Sequence, residues 1–456
     1  MFNIQFIDGE DGSMTTDQIS RRNFVGDVAA TGMAFTIVPR HVLGGPGYRA
    51  PSDALNIACI GVGGRGQADL RGVSGENIYA LCDVDSRALD AASNRHPSAK
   101  RYKDFRVMLE REGDNIDAVT VATPDHTHTV AAMMAMKMGK HVYCEKPLAR
   151  TIYEVQRLTE AARKYGVATQ TGNQGHAGEG TRQIREWVEA GAIGTVREIQ
   201  YWTNRPIWPQ AIERPLESYH VPAYLDWDLW LGPAAARPYN PAYAPFRWRG
   251  WWDFGSGALG DIACHSMDAA FWALDLGHPS RVEPEFTALF EESAPAVSRI
   301  SYDFPARGGR QAIKVVWRDG NLSPARPEEI GDESRWPIES SGQMWVGDDG
   351  KLFAGIYGEN PRLLDAERDK DIKANPPAEK YPRTEGVYAE WIDACKGGQP
   401  AGSNFAGHSG ALTEMVLLGN LAVRTGRVLE LTDGRITNTV VPEEYIKPLY
   451  REGWSL

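Results

Sequence analysis

The chain has 456 residues, too many for one compact core, so two domains of ordinary size are its natural division. A formal charge of −11 argues against a nucleic-acid partner, whose phosphates need a basic face, and against anionic polymers in general. Apolar residues make up 42%, enough for large cores, and the five cysteines show no CxxC or other metal-ligand spacing, so neither a disulfide framework nor a metal site is expected.

The first segment differs from the rest. In "SRRNFVGDVAATGMAFTIVP", Arg21 and Arg22 precede a mildly apolar stretch from Phe24 to Val38, shorter than the roughly 20 residues that span a bilayer. This resembles a twin-arginine export signal, although no small-x-small cleavage site follows it cleanly. The implied location is periplasmic or otherwise exported, or cytoplasmic if the arginine pair is accidental, with no integral membrane span. "PRHVLGGPGYRAPSD" comes next and reads as a linker or extended arm.

"LNIACIGVGGRGQADLRGV" opens with an apolar run, Leu55 to Ile60, of a length that suits a buried parallel strand. Gly61, Gly63 and Gly66 follow, with Gly64 and Arg65 between them. In a strand–turn–helix such glycines permit a tight turn, close approach of the backbone to a pyrophosphate, and close helix–sheet packing. A second strand, "NIYALCDVD", ends at Asp83, at about the 20-residue offset where a carboxylate grips the ribose hydroxyls of a dinucleotide. A carboxylate there repels a 2′-phosphate, so NAD is favoured over NADP. Arg87 is the one nearby side chain that would reverse this choice.

The alternation continues with a strand at Asp117 to Thr123, a helix over "HTHTVAAMMAMKMG" and a strand "HVYCEKP". Strand and helix alternating at this spacing mark a doubly wound parallel sheet of the Rossmann type. Ligands bind such sheets at the carboxyl ends of the strands. Thr123, Pro124, His128 and Glu145 stand at that edge as cofactor contacts. His126 and His128 have no third ligand, so the pair reads as capping and cofactor contact rather than a metal site. Lys146 leaves the same edge, and Pro147 behind it restrains its backbone and makes a cis bond accessible, so its ammonium is aimed into the crevice beside a nicotinamide.

"GVGGRG", "TPDHTH", "CEKPL" and "GALGDIACHSMD" together resemble the Gfo/Idh/MocA oxidoreductases, from about Leu55 to the low 430s. The resemblance implies a Rossmann domain followed by a C-terminal α/β domain on an open, mostly antiparallel sheet, with residues 1–53 as signal and arm, 54–175 as the nucleotide domain, 176–433 as the substrate domain and 434–456 as a tail. It also implies a catalytic lysine at Lys146 with a cis bond to Pro147, a catalytic Asp and His at Asp261 and His265, sugar or polyol substrates, and homo-oligomers, dimers or tetramers, built through the open sheet. Asn173 and Gln174 resemble positions that contact nicotinamide and substrate.

"GALGDIACHSMDAAFWALD" predicts one helix from about Ala258 to Leu274, with Asp261, His265, Asp268 and Trp272 on one polar face. Alcohol oxidation needs an acceptor for the hydroxyl proton. His265 suits that role, Asp261 is the carboxylate that orients sugar and supports the imidazole, and Lys146 steadies the developing alkoxide.

Between Tyr201 and Trp252 the chain holds seven tryptophans, interleaved with arginines and tyrosines. Aromatic faces suit the C–H faces of a pyranose, and an oligomer interface explains them equally well. Arg249, Trp251 and Trp252, nearest the catalytic helix, are expected to line the sugar pocket. Outside the cytoplasm free NAD is absent, so an exported enzyme must keep its cofactor and return each hydride to a sugar. The expected function is redox-neutral oxidoreduction of a sugar or glycoside. A cytoplasmic sugar or polyol dehydrogenase and a non-catalytic binding protein are the alternatives.

Overall fold

A computed structural model describes residues 53–331 and 336–456. The arginine pair and the apolar stretch behind it lie outside the described residues, as do residues 332–335. Among the described residues no helix is long and apolar enough to cross a membrane.

The first sheet has six strands: β1 (Asn56–Ile60), β2 (Asn77–Cys82), β3 (Lys100–Tyr102), β4 (Ala118–Val121), β5 (His141–Cys144) and β6 (Thr169–Thr171). Their order is β3-β2-β1-β4-β5-β6, and every pairing is parallel. The chain therefore leaves β1 toward β2 on one side and returns to β4 on the other, which opens a crevice at the carboxyl ends of β1 and β4. Helices α1 (Gly66–Gly72), α2 (Ser86–Arg95), α3 (Phe105–Glu112), α4 (Asp125–Lys137) and α5 (Ile152–Tyr165) cover the two faces. Both sides of β1 are buried, Ala58 and Ile60 in one core and Ile57 and Cys59 in another, so the strand reads as a continuous apolar run. α5 begins with a capping box between Thr151 and Glu154 and ends at Gly166, whose φ of +63° a side chain would resist.

Beyond β6 the chain forms α6 (Glu179–Glu189), β7 (Val196–Trp202), the short α7 (Trp227–Leu231), α8 (Gly257–Ser266) and α9 (Asp268–Leu274). Strands β8 (Arg281–Phe286), β9 (Ser298–Phe304), β10 (Ile313–Arg318), β11 (Gly342–Gly347), β12 (Gly350–Ala354) and β13 (Arg362–Leu363) follow. The chain closes with α10 (Ala366–Ala374), α11 (Val387–Cys395), α12 (Gly410–Thr425), β14 (Leu429–Thr432), β15 (Arg435–Ile436) and α13 (Glu443–Ile446). The second sheet has nine strands in the order β13-β12-β11-β7-β10-β9-β8-β14-β15, antiparallel except for β7 against β10. Alternate residues of its central strands, Ile199 and Tyr201, Ile300 and Tyr302, Val315 and Trp317, pack beneath α8, α9 and α12.

The expected single helix from Ala258 to Leu274 is two helices, divided at Met267, where ψ opens to −8°. The tail after Gly434 carries no functional motif but has a structural role. Tyr450 donates to Glu154 Oε1 at 2.7 Å, and Trp454 lies 5.9 Å from the Phe105 ring with the Arg106 guanidinium 4.1 Å above it, which ties the C-terminus to α3 and α5.

Candidate active site

A cleft of about 740 Å³ runs from the glycine turn after β1 to the inner end of α8. At its nucleotide end each glycine has its own reason. Gly61 adopts φ +78° and a Cβ there would sit 2.7 Å from Ala122 O; a Cβ on Gly66 would sit 1.9 Å from Gly61 O, so α1 can approach the turn only with glycine at that position. Gly66 accordingly packs behind the turn and does not line the cleft. Gly64, at φ +44°, faces open space, the room that a pyrophosphate needs. Asp83 Oδ2 accepts from the amides of Val62 (2.9 Å) and Gly63 (3.1 Å), and Oδ1 accepts from Asp85 (2.9 Å). Burial pushes this carboxyl up, against the pull of those three amides. Oδ2 has both lone pairs engaged by amides, and Oδ1 keeps one for a ribose hydroxyl. Arg87 is forked onto Asp85 (2.7 and 3.1 Å), so two carboxylates and an engaged arginine meet the ribose, an arrangement that suits NAD better than NADP.

Arg65 is held by Glu145 (Nε to Oε1, 3.0 Å) and by the hydroxyl of Tyr388 on α11 (2.9 Å). Glu145 is 4% exposed, and Gln174 donates to it at 3.2 Å. His128 places its ring nitrogens 2.8 Å from Pro147 O and 2.8 Å from Thr123 O, fastening α4 to the loop that carries Lys146. Thr123, Pro124, Gln174 and Glu145 all line the cleft. Thr123 Oγ1 and His265 Nδ1 are buried without a hydrogen-bond partner, so the chain leaves polar atoms at this cleft for a bound group to meet.

At the inner end Lys146, joined to Pro147 by a cis bond, donates through Nζ to Asp261 O (2.6 Å) and Asp261 Oδ1 (3.1 Å). Arg249 donates to the same Oδ1 at 3.3 Å. Burial is the largest influence and works against both charges of the lysine–aspartate pair, but their mutual attraction and the neighbouring charges together outweigh it. Lys146 is raised, with Glu145 and Asp125 adding to Asp261, and Asp261 is lowered, with Arg249 adding to Lys146. His265 lies one turn on along α8, 4% exposed, its ring centroid 4.6 Å from that of Tyr357 in an edge-on contact. Burial, and then the Lys146 ammonium, hold its pKa well below the usual imidazole value, so the ring is neutral. Asp261 spends its carboxylate on Lys146 and Arg249, and no hydrogen bond joins it to His265, contrary to the support expected of it.

Three further expectations need correction. Trp251 and Trp252, 1% and 6% exposed, do not line the cleft: Trp251 donates to Ala242 O at 2.8 Å within an aromatic cluster, and Trp252 belongs to the core of the second sheet. Trp208, Trp230 and Trp248 line it instead. Asn173 turns its amide toward Asp268 and Ser403, 3.4 Å from each, away from the cleft. Asp268 itself leaves the polar stripe of α8 and accepts from His176 (2.8 Å) and His408 (2.7 Å), forming the one cluster of metal-ligating side chains found among the described residues. Each carboxylate oxygen there already has a histidine partner.

Asp125 and Tyr357 line the cleft without having been singled out. Asp125 is 4% exposed, accepts from Ser256 at 2.7 Å, and is pushed up by burial. Its place at the first turn after a sheet-edge loop was a usable signal; Tyr357, in a turn behind β12, had none.

Family models match both halves. One described as "Oxidoreductase family, NAD-binding Rossmann fold" covers residues 55–173, and one described as "Oxidoreductase family, C-terminal alpha/beta domain" covers residues 181–315, together more than half of the chain. The chain belongs to the Gfo/Idh/MocA oxidoreductase family. Among its relatives, the myo-inositol 2-dehydrogenase of Thermotoga maritima is 30% identical over 158 residues, 34% of this chain and 47% of that protein. The levoglucosan dehydrogenase of Pseudarthrobacter phenanthrenivorans is 25% identical over 295 residues, 61% and 63% of the two chains. The chain thus spans about half the length of the curated relatives it matches first. The fold is shared with the WlbA dehydrogenase from Bordetella pertussis in complex with NADH and UDP-GlcNAcA, at a TM-score of 0.57 and 17% identity over 83% of this chain and 99% of that one.

Proposed function

We infer that this member of the family oxidises a secondary hydroxyl of a sugar or glycoside by hydride transfer to NAD and keeps the cofactor through turnover. The net reaction is then redox-neutral: hydride exchange between two sugars, or transient oxidation that assists glycosidic cleavage. The observation that carries this reading is the meeting of Lys146, from the first sheet, with Asp261 and His265, from α8, in the cleft that begins at the glycine turn. The dehydrogenase relatives that act on inositol and levoglucosan support the polyol and sugar class.

A bound nicotinamide supplies the hydride acceptor. The chain's own residues do the rest. Lys146 spends two N–H bonds on Asp261 and has a third for the substrate oxygen, where its charge stabilises an alkoxide. Asp261 holds that ammonium charged and aimed. The neutral imidazole of His265, which makes no hydrogen bond among the described residues, accepts the hydroxyl proton. Trp208 and Trp248 offer aromatic faces to the sugar. Arg21 and Arg22 support retention, because no free NAD replaces a lost cofactor outside the cytoplasm.

Absorbance of the purified protein in the reduced-nicotinamide band, before and after a panel of monosaccharides and glycosides, tests the proposal. Bound cofactor that is reduced by one sugar and reoxidised without leaving the protein is the expected result. Reduced nucleotide released into solution marks an ordinary dehydrogenase, and an unchanged spectrum across the panel removes the enzymatic reading.

A further inference from the structure

The cleft has an outer wall that the nucleotide sheet does not supply. Between β7 and α8 the chain runs through a long irregular segment, and residues 222–230 of it cross the mouth of the crevice. At one end this segment is bonded to the loop that leaves β2. Ser86 N donates to Tyr224 O (2.8 Å) and Asp226 N donates to Val84 O (3.0 Å), so Asp85 and Leu225 form an antiparallel bridge. Over the bridge the Arg87 guanidinium stacks on the Tyr224 ring at 3.3 Å. At the other end the segment is bonded to the start of α4, where His126 Nε2 lies 3.0 Å from Trp230 O. Between these ends Asp226 caps α7, and Trp227 and Trp230 stack at 4.7 Å on a base that includes Tyr243 and Phe254.

The two anchors belong to opposite sides of the crevice, one after β2 and one after β4. Asp83, Arg87 and Ala88 line the cleft at this point together with Tyr224 and Leu225 of the segment and the nearby Tyr239. A dinucleotide whose ribose is held by Asp83 therefore lies beneath the segment. We propose that residues 222–230 are a strap that closes over the adenosine half of NAD, and that opening of the bridge between Leu225 and Asp85 limits release of the nucleotide. This rests on the NAD-dependent reading above and gives it a physical means of retention.

The strap can be loosened at a position where the fold tolerates the change. Ser86 is the first residue of α2, where the backbone N–H has no helical partner, and Asp85 before it is extended at φ −95°, ψ 109°. Proline is accommodated at such a first helical position, and an extended residue is what precedes proline best. Ser86→Pro thus deletes the donor to Tyr224 O and leaves α2 its shape, while Arg87→Ala removes the stacked cation.

NADH release is followed by the loss of bound-nucleotide fluorescence when loaded protein is mixed with excess NAD. Ser86→Pro is expected to speed release by about 2–10-fold, and the double variant with Arg87→Ala by about 10–100-fold. A double variant that melts like the parent and releases NADH within about twofold of it overturns the strap. Hydrogen exchange on the parent gives a second reading that needs no variant: the amides of Ser86 and Asp226 should exchange more slowly with NADH bound, and equal exchange with and without NADH also overturns it. The ratio of rates tests the strap, whereas the absolute rate of the parent tests retention, so fast release by a parent that its variants still exceed would sink only the retained-cofactor reading.

Discussion

The proposed role of His265 as base rests on where it is buried. Its ring is neutral well below the ordinary imidazole range, so activity should show no titration near pH 6.5 on the acid side. His265→Ala should lower turnover by about 10²–10⁴ while NAD remains bound, and turnover equal to the parent would mean another group takes the proton. At the nucleotide end Asp83 is joined to three backbone amides. Asp83→Ala removes charge-assisted bonds of about 1.5–3 kcal/mol from the ribose and also frees the turn, so NAD affinity measured by calorimetry should fall at least tenfold. These positions were legible because each sits at a set offset from a local pattern, a glycine turn, a strand end or one helical turn. Asp125 was equally close to such a pattern and was passed over, its burial being invisible until α8 brought Ser256 against it.

Along the elements, the break at Met267 separates the two uses of one sequence stretch. α8 points Asp261 and His265 at the cleft, and α9 begins with Asp268, which is bound to histidines from a turn after β6 and from the segment before α12. Helical periodicity put all three acids and bases on one face because it carries no information about a ψ change between them. The tryptophans show the same limit. Trp251 is packed against Tyr243 at 5.1 Å, so Trp251→Ala should cost about 3–5 kcal/mol in denaturant unfolding with a cavity left behind. Trp208, 5% exposed, lines the cleft, so Trp208→Ala should cost stability as well but should in addition raise the sugar KM, which Trp251→Ala should leave unchanged. The reverse pattern would return Trp251 to the pocket.

For the whole molecule, buried histidines link stability to pH. His126 is held down from 6.5 to about 3, by burial first and then by the charge of Arg150. The unfolded chain binds its proton below about pH 6.5 and the folded chain does not, so stability falls as pH drops through that window. The expected slope is ~1.4 kcal/mol per pH unit from this one residue, and His265 and His408, also lowered, add the same sign. Urea titrations between about pH 7 and 5 measure it, and His126→Gln should flatten the curve by about the single-residue slope. A parent curve already flat over that range contradicts the burial argument.

The amino-acid sequence alone did not disclose β3, α2, α3 or α5, but it determined the alternation of β1, β2, β4, α4 and β5, the glycine turn with its acidic partner, and the rim position of Lys146. Each depends on residues within about one strand–helix–strand unit, where propensity and periodicity act. Only the tertiary structure decided which tryptophans face the cleft, where Asp268 finds its histidines, how the tail returns to α3, and that residues 222–230 cross the crevice. Several of those outcomes rest on contacts between segments far apart in the chain, such as Arg87 with Tyr224 and Asp268 with His408. Burial and packing settle such contacts after the chain has folded, and local pattern carries no trace of them.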